Sequence, residues 1–351
     1  MSKILPINYP PVIDCYAFEA NLVSIVSTNQ LWDHWLFTNF IGLRYRPLNN
    51  EFTFDRCTLS SPFRNCIKLL NSDFSDSVIS VFIDYINKSQ YIMSPLDHYY
   101  ISGTDVYQKH HKLHDLALIY GYDLKEKCFF AADNFEYGKY ICLKIPFKHF
   151  IYAFQKELPA GRTLIVDFNS EEAPTTFDIN KLIAILINYI NGKQTFFNDY
   201  FENNFIVKQG YYFFHKLFNN FFNYEYPVSD TNDLYGIHLY SVLRQYVGNI
   251  TPGITNYDFR WFHVMCNHKM ILELMITYLN NNNYLLNYEK IILGIKNVKS
   301  LCLSIRNLMI KTSISNNQSI LPRIYEKLII LEADEYNLIQ LIIEDLNNST
   351  K

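Results

Sequence analysis

The chain changes from a strand-rich half to a helical half, and this change limits the folds that it can adopt. Up to about residue 155, one early helix, several short strands and loops alternate, with the β-rich part at residues 99–145. From about residue 178, apolar residues recur at helical spacing almost to the end. Strands followed by a run of helices are typical of α+β folds or of separate domains. We therefore predict an α+β protein with a mostly helical C-terminal domain.

Length and turn residues indicate where the domains divide. A chain of 351 residues is long enough for two or three domains. A short apolar strand at residues 163–168 lies between turn residues, which marks residues 156–177 as a connecting strand and linker. We predict a catalytic domain at residues 1–155 and a helical domain at residues 178–351. The helices of the second domain are expected at residues 178–191, 196–225, 232–247, 258–281, 284–312 and 320–347.

Composition excludes several classes of function. Hydrophobic residues make up 49% and charged residues 19%, which excludes a disordered chain. A net charge of −3 provides neither the basic surface of a nucleic-acid-binding protein nor a polybasic membrane patch. The apolar runs are far shorter than a membrane-spanning helix. The seven cysteines are scattered and form no CxxC motif, so we expect a cytoplasmic protein with reduced thiols.

A cysteine lies at the start of the first predicted helix. Pro10 and Pro11 precede this helix, Asp14 is the expected N-cap, and good helix formers follow Cys15. The positive end of a helix lowers the pKa of a thiol and favours the thiolate. The backbone N–H of Cys15 could also face a developing oxyanion. A lone cysteine in such a position is more often a buried core residue, so other residues must support a catalytic role.

A histidine and an aspartate follow on neighbouring predicted strands. One strand begins at His114, the next ends at Asp133, and a third covers residues 139–145. Pairing about a turn at residues 123–125 places Asp133 opposite residues 113–117. Adjacent strands are about 4.8 Å apart, so a hydrogen bond between the two side chains is feasible. It would fix the imidazole tautomer and leave the other nitrogen to take the thiol proton. Structural roles at a strand end and in a turn are the alternatives.

The order of these features resembles the papain-like cysteine-protease clan. The most similar stretches are PLDHYYI at residues 95–101 and HDLALIYGYD at residues 114–123. More narrowly, the chain is similar to the minimal C39-peptidase-like relatives of nonribosomal natural-product pathways. They include the N-terminal domain of the butirosin-pathway acyltransferase and the closthioamide-type amidotransferase. The resemblance covers about residues 9–155, and the helical half carries none.

The resemblance implies a fold, a site and a reaction. A helix bearing the cysteine would pack on a small antiparallel sheet, with Cys15 as nucleophile, His114 as base and Asp133 as orienting carboxylate. Such enzymes take an acyl group from a carrier-protein thioester and pass it to an amine. An acyl or peptidyl carrier protein and a small amine are therefore the implied partners, and the only prosthetic group is the phosphopantetheine of the carrier. The clan usually has a Gln before the cysteine; here position 9 is Tyr, and Asn8 is the candidate oxyanion donor.

Other interpretations of the sequence stay open at this point. The same triad would serve a peptidase that processes a leader or a pro-peptide, and a non-catalytic helical scaffold is a third possibility. Asp97 and His98 are candidates for binding or deprotonating the amine, although loop capping is the commoner role. The sequence HHKLH at residues 110–114 lacks the further ligands of a zinc site, so we expect no metal. Cys66 also begins a helical stretch and is the rival nucleophile.

Overall fold

A computed structural model describes residues 1–55, 67–70, 77–154, 163–168, 177–195, 232–250 and 258–349. Its strands in chain order are β1 Ser2–Ile4, β2 Leu43–Arg46, β3 Glu51–Phe54, β4 Ile67–Leu69, β5 Tyr91–Asp97, β6 Leu113–Asp123, β7 Cys128–Glu136, β8 Lys139–Pro146, β9 Leu164–Val166 and β10 Leu234–Tyr235. Its α-helices are α1 Ala17–Val26, α2 Asp33–Phe40, α3 Val78–Asn87, α4 Phe147–Ala153, α5 Ile179–Ile190, α6 Leu239–Gly248, α7 Arg260–Asn281, α8 Tyr288–Ser315 and α9 Leu321–Ser349. The α+β class is confirmed.

The chain forms two compact units, which divide it differently from the predicted domains. The first unit contains residues 1–32 and the described residues between 67 and 168. The second contains residues 33–55 together with the described residues from 177 onward. Residues 33–55 were expected in the N-terminal domain. They join the second unit because β2 of this segment pairs with β10, which lies near the middle of the helical half.

The first unit is built on one antiparallel sheet. Its strand order is β4-β9-β5-β6-β7-β8, and β1 pairs with the end of β6. Strands β6 and β7 form the hairpin expected from the sequence, with Leu118 opposite Ala132. Extending this register by one residue places Asp133 opposite Ala117, at the limit of the range predicted from the sequence. The alternating stretch at residues 139–145 forms β8, as predicted.

Glycine is required at one position of this sheet. Strand β1 pairs with β6 so closely at Gly121 that a Cβ atom there would lie 2.8 Å from the carbonyl oxygen of Lys3. The same atom would lie 3.0 Å from the Cα of Ile4. Gly121 belongs to the Gly-Tyr-Asp sequence that ends β6, so this part of the motif has a packing role.

Helix α1 is the central helix of the first unit. Nine of its ten residues are buried, and it packs on β6 and β7. Helices α3 and α4 pack on the sheet through a cluster of aromatic side chains. This cluster contains Phe82, Phe129, Phe150 and Phe154, with ring centroids between 4.7 and 6.1 Å apart. Helix α3 buries Val78, Phe82 and Ile86 on one face.

The second unit contains helices α2 and α5–α9 and the small sheet β10-β2-β3. Four of the predicted helices correspond to α5, α7, α8 and α9, while α6 begins at Leu239 rather than at residue 232 because a short strand and a 3₁₀ turn precede it. The helix predicted at residues 196–225 lies outside the described residues. The apolar stripe of α9 is buried as expected, at Ile324, Leu328, Leu331, Leu338 and Ile342.

A fully buried polar network stabilises this second unit. Glu335 Oε1 accepts hydrogen bonds from Lys269 Nζ at 2.5 Å and from the Tyr189 hydroxyl at 3.1 Å. The hydroxyl of Tyr240 donates to Glu335 Oε2. His268 contacts Lys269 through Nδ1 at 3.0 Å and the carbonyl oxygen of Ile41 through Nε2 at 2.8 Å. Burial and the neighbouring ammonium hold the pKa of His268 well below its ordinary value, so its ring is neutral and bonds residues 33–55 to α7.

Candidate active site

Asp133 is the buried centre of the site. It lies near the end of β7 and has no exposed surface. Its Oδ1 accepts the backbone N–H of Asn134 at 2.7 Å, and its Oδ2 contacts the rings of His114 and His98. Burial alone would raise the pKa of this carboxyl, but the charge and hydrogen bond of His114, followed by those of His98, outweigh it and lower the pKa to about 2. The carboxylate therefore stays ionised at neutral pH.

His114 and Asp133 come together as the sequence predicts. His114 is the second residue of β6, and its Nδ1 lies 2.8 Å from Asp133 Oδ2. The charge and the hydrogen bond of His114, which lower the pKa of Asp133, both act across this contact. About a quarter of the His114 side chain is exposed, which leaves one edge of the ring accessible to a reacting group.

Cys15 is buried beside the start of α1, although the helix begins later than predicted. The residue is 6% exposed, and the first helical residue is Ala17. Tyr16 is the N-cap, with extended backbone and no side-chain bond that caps the helix, so the expected N-cap role of Asp14 is wrong. Cys15 thus precedes the helix by two residues instead of lying in its first turn. It remains next to the positive end of the helix dipole.

A polar bridge fixes α1 against the strand that carries His114. The Asn21 side chain donates from Nδ2 to the carbonyl oxygen of Leu116 at 2.5 Å and accepts the Tyr140 hydroxyl at 2.7 Å. Asn21 is six residues after Cys15, and Leu116 is two residues after His114. The bridge therefore ties the element that follows the cysteine to the strand that follows the histidine.

His98 was expected in a polar loop and instead lies in the interior. Its side chain has no exposed surface, and its Nε2 is 3.2 Å from Asp133 Oδ2. Its ring stacks on that of His114, with centroids 5.0 Å apart and an angle of 22° between the planes. The substrate-binding role of His98 stays a prediction, and the enclosure of its ring gives that role no support. The sequence missed this contact because the spacing of His98 from Asp133 along the chain carries no signal of their proximity.

Asp97 has a structural role, which the sequence had given as the commoner alternative. It ends β5, and its Oδ1 accepts the backbone N–H groups of Tyr99 at 3.0 Å and Lys112 at 3.1 Å. Its Oδ2 lies 2.6 Å from Nδ1 of His111. Burial raises the pKa of Asp97, but these bonds and the partial charge of His111 outweigh it, so the net pKa is lowered. The side chain therefore caps the 3₁₀ turn at His98–Tyr100.

The placement of Asn8 gives no support to an oxyanion role. Asn8 is exposed, and its backbone N–H donates to the carbonyl oxygen of Ser24 at 2.8 Å. Ser24 is seven residues into α1, which is roughly 10 Å along the helix from its start. The backbone of Asn8 is thus bonded to the later part of α1 rather than to the end near Cys15.

Three donor atoms at this site could also suit a metal. Each of three residues offers one ligand atom, and these three atoms lie within 4.8 Å of one another. The residues are His98, His114 and Asp133. Two imidazoles and a carboxylate resemble the protein ligands of a catalytic zinc ion. The histidine pair suggested by HHKLH does not contribute as a pair, because His111 bonds Asp97 while His114 contacts Asp133. The structure therefore supplies a donor set that the sequence did not predict.

The other described cysteines are poor nucleophiles. Burial raises the pKa of Cys128 and that of Cys142. The 3.5 Å contact between Cys266 and Cys302, together with burial, raises the pKa of Cys302 well above its ordinary value. Cys128, Cys266 and Cys302 are buried. The rival nucleophile Cys66 lies outside the described residues.

No protein-family model matches the chain, and no curated protein matches it either. None of the helices that the structure describes combines the length and apolar character needed to cross a bilayer.

Proposed function

We propose that this protein is a cysteine-dependent acyltransferase that forms an amide from a carrier-protein thioester and an amine. The observation that supports this proposal is the contact between His114 and the buried, ionised carboxylate of Asp133, at 2.8 Å. This pair lies in the same unit as Cys15, which is next to the start of α1. Helix α1 packs on β6 and β7, the two strands that carry the pair. The papain-like order of these residues supports the same reaction class.

The first half of the reaction would transfer the acyl group to the enzyme. His114 takes the thiol proton of Cys15, and the thiolate attacks the thioester carbonyl carbon. The carbon–sulfur bond to phosphopantetheine breaks, and the leaving thiolate receives the proton from His114. The product is an acyl-Cys15 thioester. One thioester replaces another, so the step is nearly balanced in energy, and catalysis depends on positioning the reacting atoms.

The second half would transfer the acyl group to the amine. The amine attacks the acyl-Cys15 carbonyl, His114 accepts a proton from the amine nitrogen, and the Cys15 thiolate leaves. The amide is released, and the proton returns to the thiolate. Asp133 stabilises the imidazolium in both halves and holds the His114 proton on Nδ1, which directs Nε2 toward the reacting groups. Water must be excluded, because it would hydrolyse the intermediate.

Intact-mass spectrometry tests the acyl-enzyme directly. The probe is an acyl thioester of N-acetylcysteamine, which reproduces the end of the phosphopantetheine arm. We expect a mass increase of one acyl group located on Cys15, and its loss with amide formation when an amine is added. The variant Cys15→Ala should gain no acyl group. Cys142→Ala is the matched control and should react like the natural protein.

The same experiment separates the alternatives. An unchanged adduct in Cys15→Ala would exclude Cys15 as the nucleophile. A protein that ignores thioesters and cleaves peptides would be a peptidase with the same residues. Activity that disappears on chelation and returns with zinc would assign the His98, His114 and Asp133 set to a metal instead of to a triad. A protein whose Cys15 reacts with iodoacetamide no faster than an ordinary thiol would fit a scaffold.

A further inference from the structure

The carboxylate of Asp133 contacts two imidazole rings, those of His98 and His114, whereas a cysteine–histidine–aspartate triad needs only one. We propose that His98 is a positioning residue that donates its Nε2–H to Asp133 and thereby fixes the carboxylate against Nδ1 of His114. This inference rests on the proposed function, because it assigns a role to His98 within the same site. It replaces the substrate-binding role suggested by the sequence.

The contacts of the carboxylate show how it is fixed. Oδ1 is held by the backbone N–H of Asn134 at 2.7 Å, and Oδ2 lies 3.2 Å from His98 Nε2. Each oxygen therefore has a donor other than His114. Because an ionised carboxylate only accepts hydrogen bonds, the contact with His98 requires the proton on Nε2. The plane of the carboxylate is set before His114 changes its protonation state.

The surroundings of His98 hold the donor in place. Its backbone N–H donates to the carbonyl oxygen of Lys112 at 2.9 Å, and its own carbonyl oxygen accepts the Thr104 hydroxyl at 2.9 Å. The ring contacts those of His114 and Phe135, with both centroid distances at 5.0 Å. These contacts on the backbone and on the ring fix the direction in which Nε2 points.

The second ring nitrogen argues against a role in packing alone. Nδ1 of His98 is buried and has no hydrogen-bond partner among the described residues. A buried polar atom without a partner costs free energy. A phenylalanine would fill the same space and stack on His114 without that cost. The imidazole is therefore explained by the bond that Nε2 makes with Asp133.

Two substitutions of similar polarity isolate that bond. In His98→Gln, the side-chain amide reaches the position of Nε2 and can still donate to Asp133. In His98→Asn, the shorter amide reaches only the position of Nδ1, and Nδ1 is not the ring nitrogen that contacts Asp133. His98→Phe keeps the stack and removes the donor, and it replaces the asparagine variant in the comparison if that variant does not fold. Thermal unfolding establishes which variants are folded.

Two measurements decide the proposal. The first is the tautomer of His114 from ¹⁵N NMR of the ring, assigned by comparison with His114→Gln. The second is the rate at which iodoacetamide alkylates Cys15. We expect His98→Gln to keep the Nδ1–H tautomer and to react within about threefold of the natural protein. His98→Asn and His98→Phe should give a tautomer mixture and react about 10- to 100-fold more slowly.

The outcomes separate this proposal from the proposed function. An unchanged tautomer and alkylation rate in His98→Asn or His98→Phe would overturn the positioning role. Equal losses in the glutamine and asparagine variants would also overturn it, because the donor would not be the cause. If Cys15 of the natural protein reacts like an ordinary thiol, the proposed function fails. The tautomer of His114 still tests the role of His98 in that case.

Discussion

At the scale of single residues, the main feature is a carboxylate that is fully buried and ionised. Burial opposes the charge of Asp133, yet the imidazoles of His114 and His98 hold its pKa at about 2. The folded protein binds this proton less tightly than the unfolded chain does. Stability is therefore linked to pH through Asp133.

The linkage predicts how stability changes in acid. The pKa of Asp133 falls from 3.8 in the unfolded chain to about 2 in the folded protein. The contribution of Asp133 to the free energy of unfolding is present above pH 3.8 and is lost as the pH falls through 2. The loss is roughly 2 kcal/mol. Urea unfolding between pH 5 and pH 2 should show that Asp133→Asn loses less stability over this range than the natural protein does.

A second variant keeps this prediction testable if Asp133→Asn does not fold. His114→Gln removes the largest of the causes that lower the pKa of Asp133, while it leaves the carboxyl in place. It should also lose less stability in acid than the natural protein. Equal pH dependence in all folded forms would show that Asp133 titrates alike in the folded and unfolded states.

At the scale of elements, the strand that carries His114 has a closely packed neighbour at its far end. Strand β1 approaches β6 at Gly121, where a side chain would meet the backbone of Lys3 and Ile4. The end of β6 is therefore held by β1 on one edge and by β7 on the other. The register of β6 fixes which residues face Asp133, so this pairing of β1 with β6 supports the site from a distance.

We expect Gly121→Ala to be destabilising. The added methyl would lie 2.8 Å from a backbone oxygen, and strand β1 must shift to make room. Overpacking of this kind costs about 1–3 kcal/mol. Gly248→Ala is the control, since a Cβ there meets nothing within 4 Å. Denaturant unfolding should separate the two variants, and equal stability would contradict the close contact between β1 and Gly121.

The sequence predicts elements better than it predicts the ends of elements or contacts between them. Alternation along β8 and the apolar stripe of α9 are local patterns, and both appear as expected. The start of α1 is wrong because Asp14 resembles an N-cap by residue type, whereas the backbone becomes helical only at Ala17. The pair of His114 and Asp133 is predictable because a hairpin fixes its register. His98 is not, since its approach to Asp133 depends on tertiary packing.

At the scale of the whole molecule, a buried ion pair in the second unit joins two helices that are far apart in the sequence. Lys269 of α7 and Glu335 of α9 are both fully buried, and two tyrosine hydroxyls complete the coordination of the carboxylate. Buried pairs contribute little net stability when they replace apolar residues, but breaking one leaves a charge in the core.

This network predicts a difference between single and double variants. Glu335→Leu should destabilise the protein by about 3–5 kcal/mol, because the Lys269 ammonium loses its counterion. The double variant Lys269→Met with Glu335→Leu should recover most of that loss, since no buried charge remains. Thermal and denaturant unfolding of the full chain measure both. A double variant no more stable than the single one would show that the hydroxyl contacts of Tyr189 and Tyr240 dominate.

The pairing of β2 with β10 has a consequence for synthesis of the chain. Arg44 of β2 bonds Asp233, which lies 189 residues later and directly precedes β10. At 5–20 residues per second, roughly 10 to 40 s pass between the synthesis of Arg44 and that of Asp233. During that interval the exposed edge of β2 has no strand to cover it. An uncovered edge is prone to pair with other chains, so the nascent protein is most vulnerable to aggregation before the last third is translated.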